Sequence, residues 1–383
     1  MNVFLMRAIR GVFALVLICF SVKAAGAQTA TSRIVTAADK FLSTLDEKQR
    51  QIVLFAFDDE KQRANWSNFP VSFVPRGGIP LKDMNPAQRS AAMALVSAAL
   101  SAKGFEKVQQ IMEGDEVNKN IEANRPRGGN NGSQPPPRDR NTPPPGDPNG
   151  PPPGNRPPSG GPPDSTIFGK DLYYISILGK PSEKAPWMLQ FGGHHLALNI
   201  TIDGERGILT PTLTGAQPAL FLSNGKTVRP LGPESDNALA LLNALDDNQK
   251  KQAILSYKLA DLVLGPGQDG KTIQPEGLKA TAMNDRQRAM LLEVISQWAD
   301  IIHESAAAAR MAELKADINE TWFAWSGPTT AVPGKNISAY YRIQGPHLVI
   351  EYAPQTLGGD PSLHVHTMYR DPTNDYGRGP VAK

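Results

Sequence analysis

The chain has 383 residues, with 40 lysines and arginines against 37 aspartates and glutamates, and it holds one cysteine. Arg7, Arg10 and Lys23 lie in the first 27 residues, which contain no acid, so the formal charge of +3 falls to about zero (3 − 3) without them. Nucleic acids need a clustered basic surface, so no nucleic-acid partner is expected. The sequence also lacks the Walker, dinucleotide-binding, GxSxG, HExxH and EF-hand motifs.

Residues 1–27 have the pattern of a signal peptide. Arg7 and Arg10 precede an apolar run, and the small residues Ala25, Gly26 and Ala27 follow it. Cleavage after Ala27 predicts an exported protein, periplasmic or secreted. The apolar run is too short for a stable anchor, which needs about 20 residues, so no transmembrane anchor is expected after cleavage. Cys19 would be lost, which leaves no thiol for a disulfide, a metal site or a nucleophile.

Two stretches of the chain repeat without gaps. Residues 41–57 align with residues 241–257 at an offset of 200, and residues 78–100 align with residues 277–299 at an offset of 199. The second pair shares the motif MNxxQR, and its asparagine is a typical helix cap. We interpret the two matches as an internal duplication. Residues 28–124 are then the helical part of repeat one, and residues 233–320 are the helical part of repeat two.

A proline-rich insert separates the helical part of repeat one from its β part. Residues 125–163 contain 15 prolines and eight glycines among 39 residues, which predicts a disordered spacer. Its PxxP-like content suits an aromatic groove, but the sequence names no partner for it. The β parts, residues 164–232 and 321–383, align at an offset of 152. The insert accounts for most of the change of 47 (199 − 152) between the offsets.

These patterns predict an α+β fold. We expect two pseudo-symmetric halves, each with a helical pair or triplet packed on an antiparallel sheet.

Four of the six histidines lie in two short segments, LQFGGHHLALNI and SLHVHTMYRDPTNDYG. If the first segment is one strand, His195 and Asn199 share a face and His194 points to the other. By the same alternation, His364 and His366 share a face.

An HxH pair on a strand is a sensible metal clamp, because two imidazoles one pleat apart point the same way. His195 or Glu351 would complete the set and leave a position open for water. The predicted ligands of a divalent metal are therefore His195, Glu351, His364 and His366, and zinc, iron, manganese and copper remain open. The alternative is that these histidines are structural and bond to carbonyl groups.

Arg370 and Asp371 begin a stretch that first suggests turn chemistry, since Asp and Asn satisfy local amides. The functional alternative gives Arg370 the carboxylate or phosphate of a small-molecule substrate. Asp371 or Asp375 would then be a general base, or the partner that orients a ligating histidine.

Two classes of function follow from these residues. The first is an exported metal-binding protein, or a metal-dependent hydrolase or oxidase with a histidine-rich pocket. The second is a non-catalytic envelope protein that binds a partner through other surfaces and uses its histidines for packing.

The motifs GHHLALN, LTPTLTGAQP, YYRIQGPHLVIEYAP and HVHTMYRDPTNDYG resemble the family catalogued as domain of unknown function 3500, over nearly all of the mature chain. The family pattern in the second half is similar to RIQGP, then IEYD, then HxHxxWRDPxxDFG. This sequence departs from that pattern at Ala353, Tyr369 and Tyr376. The resemblance implies kinship of fold and no particular reaction. The missing carboxylate at Ala353 weakens any metal scheme that relies on it.

Overall fold

The computed structural model describes residues 28–124, 167–357 and 359–378. The predicted signal peptide and all of residues 125–166, including the predicted insert, lie outside these residues. In the part of the chain that is described, none of the helices combines the length and the apolar character needed to cross a membrane.

The helices fall in two groups along the sequence. Over the described residues they are α1 (Ala30–Ser43), α2 (Glu47–Val53), α3 (Glu60–Arg63), α4 (Pro86–Ala99), α5 (Ala102–Ala123), α6 (Gly232–Ala244), α7 (Asp247–Ala253), α8 (Asp285–Ala299) and α9 (Glu304–Ala316).

The MNxxQR motif works as a capping box in both groups. Asn85 and Gln88 exchange hydrogen bonds at the start of α4, and Asn284 and Gln287 do the same at the start of α8. Each glutamine side chain also hydrogen-bonds to the end of a neighbouring helix. The Nε2 of Gln88 donates to the carbonyl of Thr44 at 3.0 Å, and the Nε2 of Gln287 donates to the carbonyl of Ala244 at 2.8 Å.

The strands described in the structure are β1 (Leu54–Phe55), β2 (Ile79–Pro80), β3 (Tyr174–Leu178), β4 (Trp187–Gly193), β5 (Leu196–Asp203), β6 (Arg206–Ile208), β7 (Thr212–Ala216), β8 (Phe221–Ser223), β9 (Lys226–Val228), β10 (Leu278–Lys279), β11 (Trp322–Ser326), β12 (Tyr340–Gly345), β13 (Leu348–Pro354) and β14 (Val365–Arg370).

Twelve of these strands form one sheet within the described residues, in the order β1-β3-β4-β5-β7-β14-β13-β12-β11-β10, with β2 beside β3 and β6 beside β5. All pairs are antiparallel except β1 with β3, so the sheet is mixed. The α+β prediction is confirmed at this level. The expectation of one antiparallel sheet in each half is wrong, because β7 and β14 pair in the middle and join both halves in a continuous sheet.

The two faces of the sheet are covered differently, and β14 shows this. Thr367 and Tyr369 face the helices, where they bond to the indole of Trp298 and the guanidinium of Arg310. The alternate residue His366 faces the opposite side. Two long loops, residues 56–77 and 255–276, cover that second face and pack on it through a cluster that includes Trp66, Leu262 and Met368.

Replacing either capping glutamine should destabilise the protein to a similar extent. Gln88→Ala and Gln287→Ala each remove a capping box and a bond to the neighbouring helix, so we expect each to lower the free energy of unfolding by about 2 kcal/mol. Urea denaturation measures this. Gln51→Ala, on the exposed side of α2, is the control and should cost less than about 0.5 kcal/mol. A loss confined to one of the two glutamines would contradict their equivalence.

Candidate metal centre

The two adjacent histidines form the turn of a hairpin. Gly193 ends β4 and pairs with Leu196, the first residue of β5, so His194 and His195 are the two residues between them. The prediction that they lie within one strand is wrong, because the chain reverses at these two residues. His195 has a φ of 61°, an uncommon value for a residue with a side chain. Its carbonyl accepts a 2.7 Å hydrogen bond from the amide of Gly215 on β7, which holds this conformation.

Three histidines meet beside this turn. The Nε2 atoms of His195 and His364 are 3.0 Å apart, those of His195 and His366 are 3.2 Å apart, and those of His364 and His366 are 3.1 Å apart. All three side chains are buried. Among the described residues, they form a group whose ligand atoms are close enough to hold one metal ion. We call them the three-histidine group.

Strand geometry explains how β14 supplies two members of this group. His364 directly precedes the strand and His366 is its second residue, so the alternation of side chains sends both rings to the loop-covered face. His195 arrives from the other half of the sheet, because β14 is hydrogen-bonded to β7 and β7 is hydrogen-bonded to β5.

Acceptors on the far side of two rings fix their orientation. The Nδ1 of His364 lies 2.9 Å from the carbonyl of Leu357, and the Nδ1 of His366 lies 3.3 Å from the carboxylate of Asp261. Carbonyls and carboxylates only accept, so each Nδ1 carries the proton and each Nε2 directs a lone pair inward. The amide nitrogen of Asn68 also lies 3.3 Å from the Nδ1 of His366. The carboxylate is the stronger partner because it is charged.

Burial favours the uncharged form of two of these rings. Desolvation lowers the pKa of His195 well below its ordinary value, and the imidazoles of His194, His364 and His366 lower it further. Desolvation is the largest cause that lowers the pKa of His364, to about 3, and the proximity of His366 is the next. Neutral imidazole is the form that binds metals, so His195 and His364 can accept a cation at neutral pH.

His194 stands next to the group without belonging to it. Its Nδ1 is 2.6 Å from a carboxylate oxygen of Asp115 on α5, and its ring packs on that of His195 with 3.7 Å between centroids. Asp115 therefore anchors the turn from the helical side and supports the ring of His195.

Glu351 is not part of the three-histidine group, contrary to the prediction. Its carboxylate accepts hydrogen bonds from the amides of Val263 and Leu264 and from the hydroxyl of Tyr340, at 2.7 to 2.8 Å. The reason is register. Glu351 pairs with Met368, whereas the residue opposite His366 is Ala353.

Arg370 is also committed to other partners. It lies four residues from His366 along β14, about 13 Å away at the usual rise of a strand. Its guanidinium donates to the carbonyls of Leu264 and Gly265 and to the carboxylates of Asp269 and Asp375. These bonds hold the loop of residues 255–276 over the sheet. Arg370 therefore anchors this loop instead of making the predicted substrate contact.

Asp371 points toward the helical side of the sheet. One of its carboxylate oxygens accepts from the amide and hydroxyl of Thr373, and the other lies 3.0 Å from the guanidinium of Arg310. The turn chemistry in the sequence is therefore present. The position of Asp371 does not support its predicted role at the metal site. Asp371 directly follows β14 and is four residues beyond Thr367, so its side chain lies on the same helical face as that of Thr367.

The sequence patterns missed Asp261, Asn68 and Leu357. These residues contact the group from loops, and none belongs to a motif with metal-ligand spacing. Their positions depend on how the loops cross the sheet, which no local pattern encodes.

The chain belongs to the family described as Protein of unknown function (DUF3500), whose profile matches residues 27–378, nearly the whole chain. This confirms the resemblance carried by the GHHLALN and HVHTMYRDPTNDYG motifs. No curated protein and no solved structure gave a significant match.

Removing the carboxylate behind His366 should weaken metal binding without destroying the group. In Asp261→Ala the Nδ1 proton of His366 loses its charged acceptor, so we expect affinity for Zn²⁺ to fall about 10- to 100-fold. Competition with a chromophoric chelator measures the affinity. Asp236→Asn, which affects an exposed ion pair with Arg229, is the control. An affinity within about threefold of the wild type in Asp261→Ala would remove Asp261 from the account.

Proposed function

We propose that the protein binds one divalent transition-metal ion through the Nε2 atoms of His195, His364 and His366, and that zinc is the best match. The observation that carries the proposal is the convergence of these three atoms at 3.0 to 3.2 Å from one another. The Nε2 lone pairs of His364 and His366 point inward, and a cation bound among the three rings would satisfy both of them.

The spacing suits a metal ion. If each nitrogen lies about 2.0 to 2.1 Å from the ion, separations of 3.0 to 3.2 Å give nitrogen–metal–nitrogen angles of roughly 91° to 106°. These values lie between the octahedral and tetrahedral angles, so the histidines cap one side of the ion. Three neutral imidazoles favour zinc, copper or iron over magnesium or calcium, which prefer oxygen ligands.

Three protein ligands leave at least one position for water or a substrate. Zinc held by these three imidazoles would lower the pKa of a bound water and polarise a carbonyl or phosphoryl oxygen. We therefore place the protein with metal-dependent hydrolases, or oxidases if the ion is redox-active, that act on a small molecule. In that role Asp261 and the carbonyl of Leu357 orient the ligands, and Asp115 steadies the neighbouring turn through His194.

A structural role for the same metal is the second candidate. The three residues are only 3 to 6 % exposed, which leaves little room for a substrate. An ion here would tie the β4–β5 hairpin to β14, and so link the two halves of the sheet. Such a protein would act in the cell envelope by binding a partner through another surface.

We also infer that the chain arose by duplication. The order β7-β5-β4-β3-β2 on one side of the central strand pair matches β14-β13-β12-β11-β10 on the other, and both sides carry the same glutamine caps. Thr214 and Thr367 face each other at the centre of this arrangement. Residues 207–216, which include β7, contain no histidine, so only one half offers the clamp.

Export remains part of the proposal, supported by the leader pattern in residues 1–27. When the full chain is expressed in a bacterium, N-terminal sequencing of the protein from the periplasm or medium should begin at Gln28. Protein that keeps Met1 and remains in the cytoplasm would contradict export.

The metal proposal predicts stoichiometric, stabilising zinc. Protein incubated with Zn²⁺ and desalted should contain about one zinc per chain by elemental analysis. At 1,000 times the dissociation constant, zinc should add about 4 kcal/mol to the stability and raise Tm by about 8 to 16 °C, and a chelator should reverse this.

The double variant His364→Ala/His366→Ala should lose both the zinc and the shift in Tm. His347→Ala is the matched control, because His347 is a half-exposed turn histidine that bonds to Thr373, away from the group. A folded wild-type protein that retains no zinc, with a Tm indifferent to metal and chelator, would favour the interpretation that the histidines serve only for packing.

A further inference from the structure

Arg76 joins a loop over the sheet to the histidine turn. It belongs to the first of the two loops that cover the face where the three-histidine group lies. Its Nη2 atom lies 2.8 Å from the carbonyl oxygens of Ser67 and Phe69, in the same loop, and 3.3 Å from the carbonyl oxygen of Gly193. Gly193 directly precedes the turn. One guanidinium group therefore contacts both of these segments.

The acceptors of Arg76 within the described residues are all neutral. The fourth is the carbonyl of Val74, and none is a carboxylate. Desolvation lowers the pKa of Arg76 to about 10, and the guanidinium still carries its charge at neutral pH. A charge removed from water is usually paired with an opposite charge. What Arg76 supplies is instead a planar fork of donors that can hold several carbonyls at once.

The part of the loop that Arg76 holds contacts two members of the three-histidine group. Asn68 lies between the two loop residues whose carbonyls Arg76 binds. Its own carbonyl accepts from the amide of His195 at 3.4 Å, and its side-chain nitrogen lies 3.3 Å from the Nδ1 of His366. A displacement of this part of the loop would therefore reach both histidines.

The turn itself is held through three successive carbonyl groups. Their donors come from three different parts of the fold: Arg76 for Gly193, the hydroxyl of Tyr173 for His194, and the amide of Gly215 for His195. Because His195 has a positive φ, which a residue with a side chain adopts at a cost, the turn depends on such bonds. Arg76 is the charged donor among the three.

We infer that Arg76 is a positioning residue of the metal centre. Its guanidinium fixes the loop and the turn relative to each other, so that the ring of His195 keeps its place in the three-histidine group. The inference rests on the proposed metal site. It adds a residue that acts on the ion only through other groups.

The charge of Arg76 and its geometry have opposite effects on a bound metal ion. A fixed positive charge repels a divalent cation, so a neutral replacement would tighten binding if the charge alone mattered. Lysine keeps the charge and loses the planar fork, whereas glutamine loses both. If positioning dominates, both replacements weaken binding, and the two variants together separate the two effects.

Metal binding by Arg76→Lys and Arg76→Gln in the full-length mature protein tests the positioning role. We expect both variants to bind Zn²⁺ about 10- to 100-fold more weakly than the wild type, by competition with a chromophoric chelator. The visible bands of the Co²⁺-substituted protein should also weaken in both, because water replaces an imidazole and the coordination number rises. A role confined to stability would leave this spectrum unchanged.

Arg288→Lys is the matched control. The guanidinium of Arg288 also holds two backbone carbonyls, those of Ala280 and Met283, at the start of α8. This variant should lose Tm and keep the zinc affinity and the cobalt spectrum of the wild type. Wild-type affinity in both Arg76 variants, tighter binding in Arg76→Gln, or an equal loss of affinity in Arg288→Lys would overturn the inference and leave the metal site standing. A wild-type protein that binds no zinc would overturn both.

Hydrogen exchange in the wild type supplies a test that does not depend on the folding of any variant. Zinc should slow the exchange of the amides of His195 and Phe69 together, because Arg76 links the turn and the loop that carry them. The amide of Met283, in the segment held by Arg288, should not respond. Slower exchange at His195 with no change at Phe69 would separate the loop from the turn and refute the inference.

Discussion

The pairing of β7 with β14 in the middle of the sheet is the constraint on which the candidate site depends. Gly215 of β7 stands opposite His366, and its amide holds the carbonyl of His195. A Cβ atom at Gly215 would come within 2.8 Å of the carbonyl of Val365 and 3.2 Å of the ring of His195. The glycine therefore lets a turn from one half of the chain approach a strand from the other half.

Burying three imidazoles carries a cost that the surroundings only partly offset. Leu357 and Asp261 satisfy the outer nitrogens of two rings, and their inner nitrogens face one another. Buried polar groups without partners destabilise a fold. A metal ion would replace this unfavourable contact with three bonds, so the close approach of the three rings would favour tight binding of the ion. The two carboxylates nearby, Asp115 and Asp261, would also offset part of the charge of a divalent ion.

Local sequence patterns predicted some of this site and missed the rest for physical reasons. Alternation along a strand was enough to place His364 and His366 on one face, because it depends only on neighbouring residues. Whether Glu351 can be a ligand depends on the register between β13 and β14. In the structure the residue opposite His366 is Ala353, two positions after Glu351. The GGHH turn was missed because it lacks the Asn-Gly or Asp-Gly signal of a two-residue hairpin. Asp261 comes from a loop whose path is set by tertiary packing.

Similarly, the repeats predicted the helix caps and the α+β class, but the merging of both halves into one sheet depends on long-range strand pairing.

X-ray absorption at the zinc edge of the zinc-loaded protein identifies the atoms bound to the ion. Coordination by the three-histidine group should give three imidazole nitrogens at about 2.0 to 2.1 Å, with the remaining position held by an oxygen ligand. A spectrum with one imidazole or none, typical of zinc bound loosely by surface carboxylates and water, would contradict the convergence of His195, His364 and His366 on a metal ion.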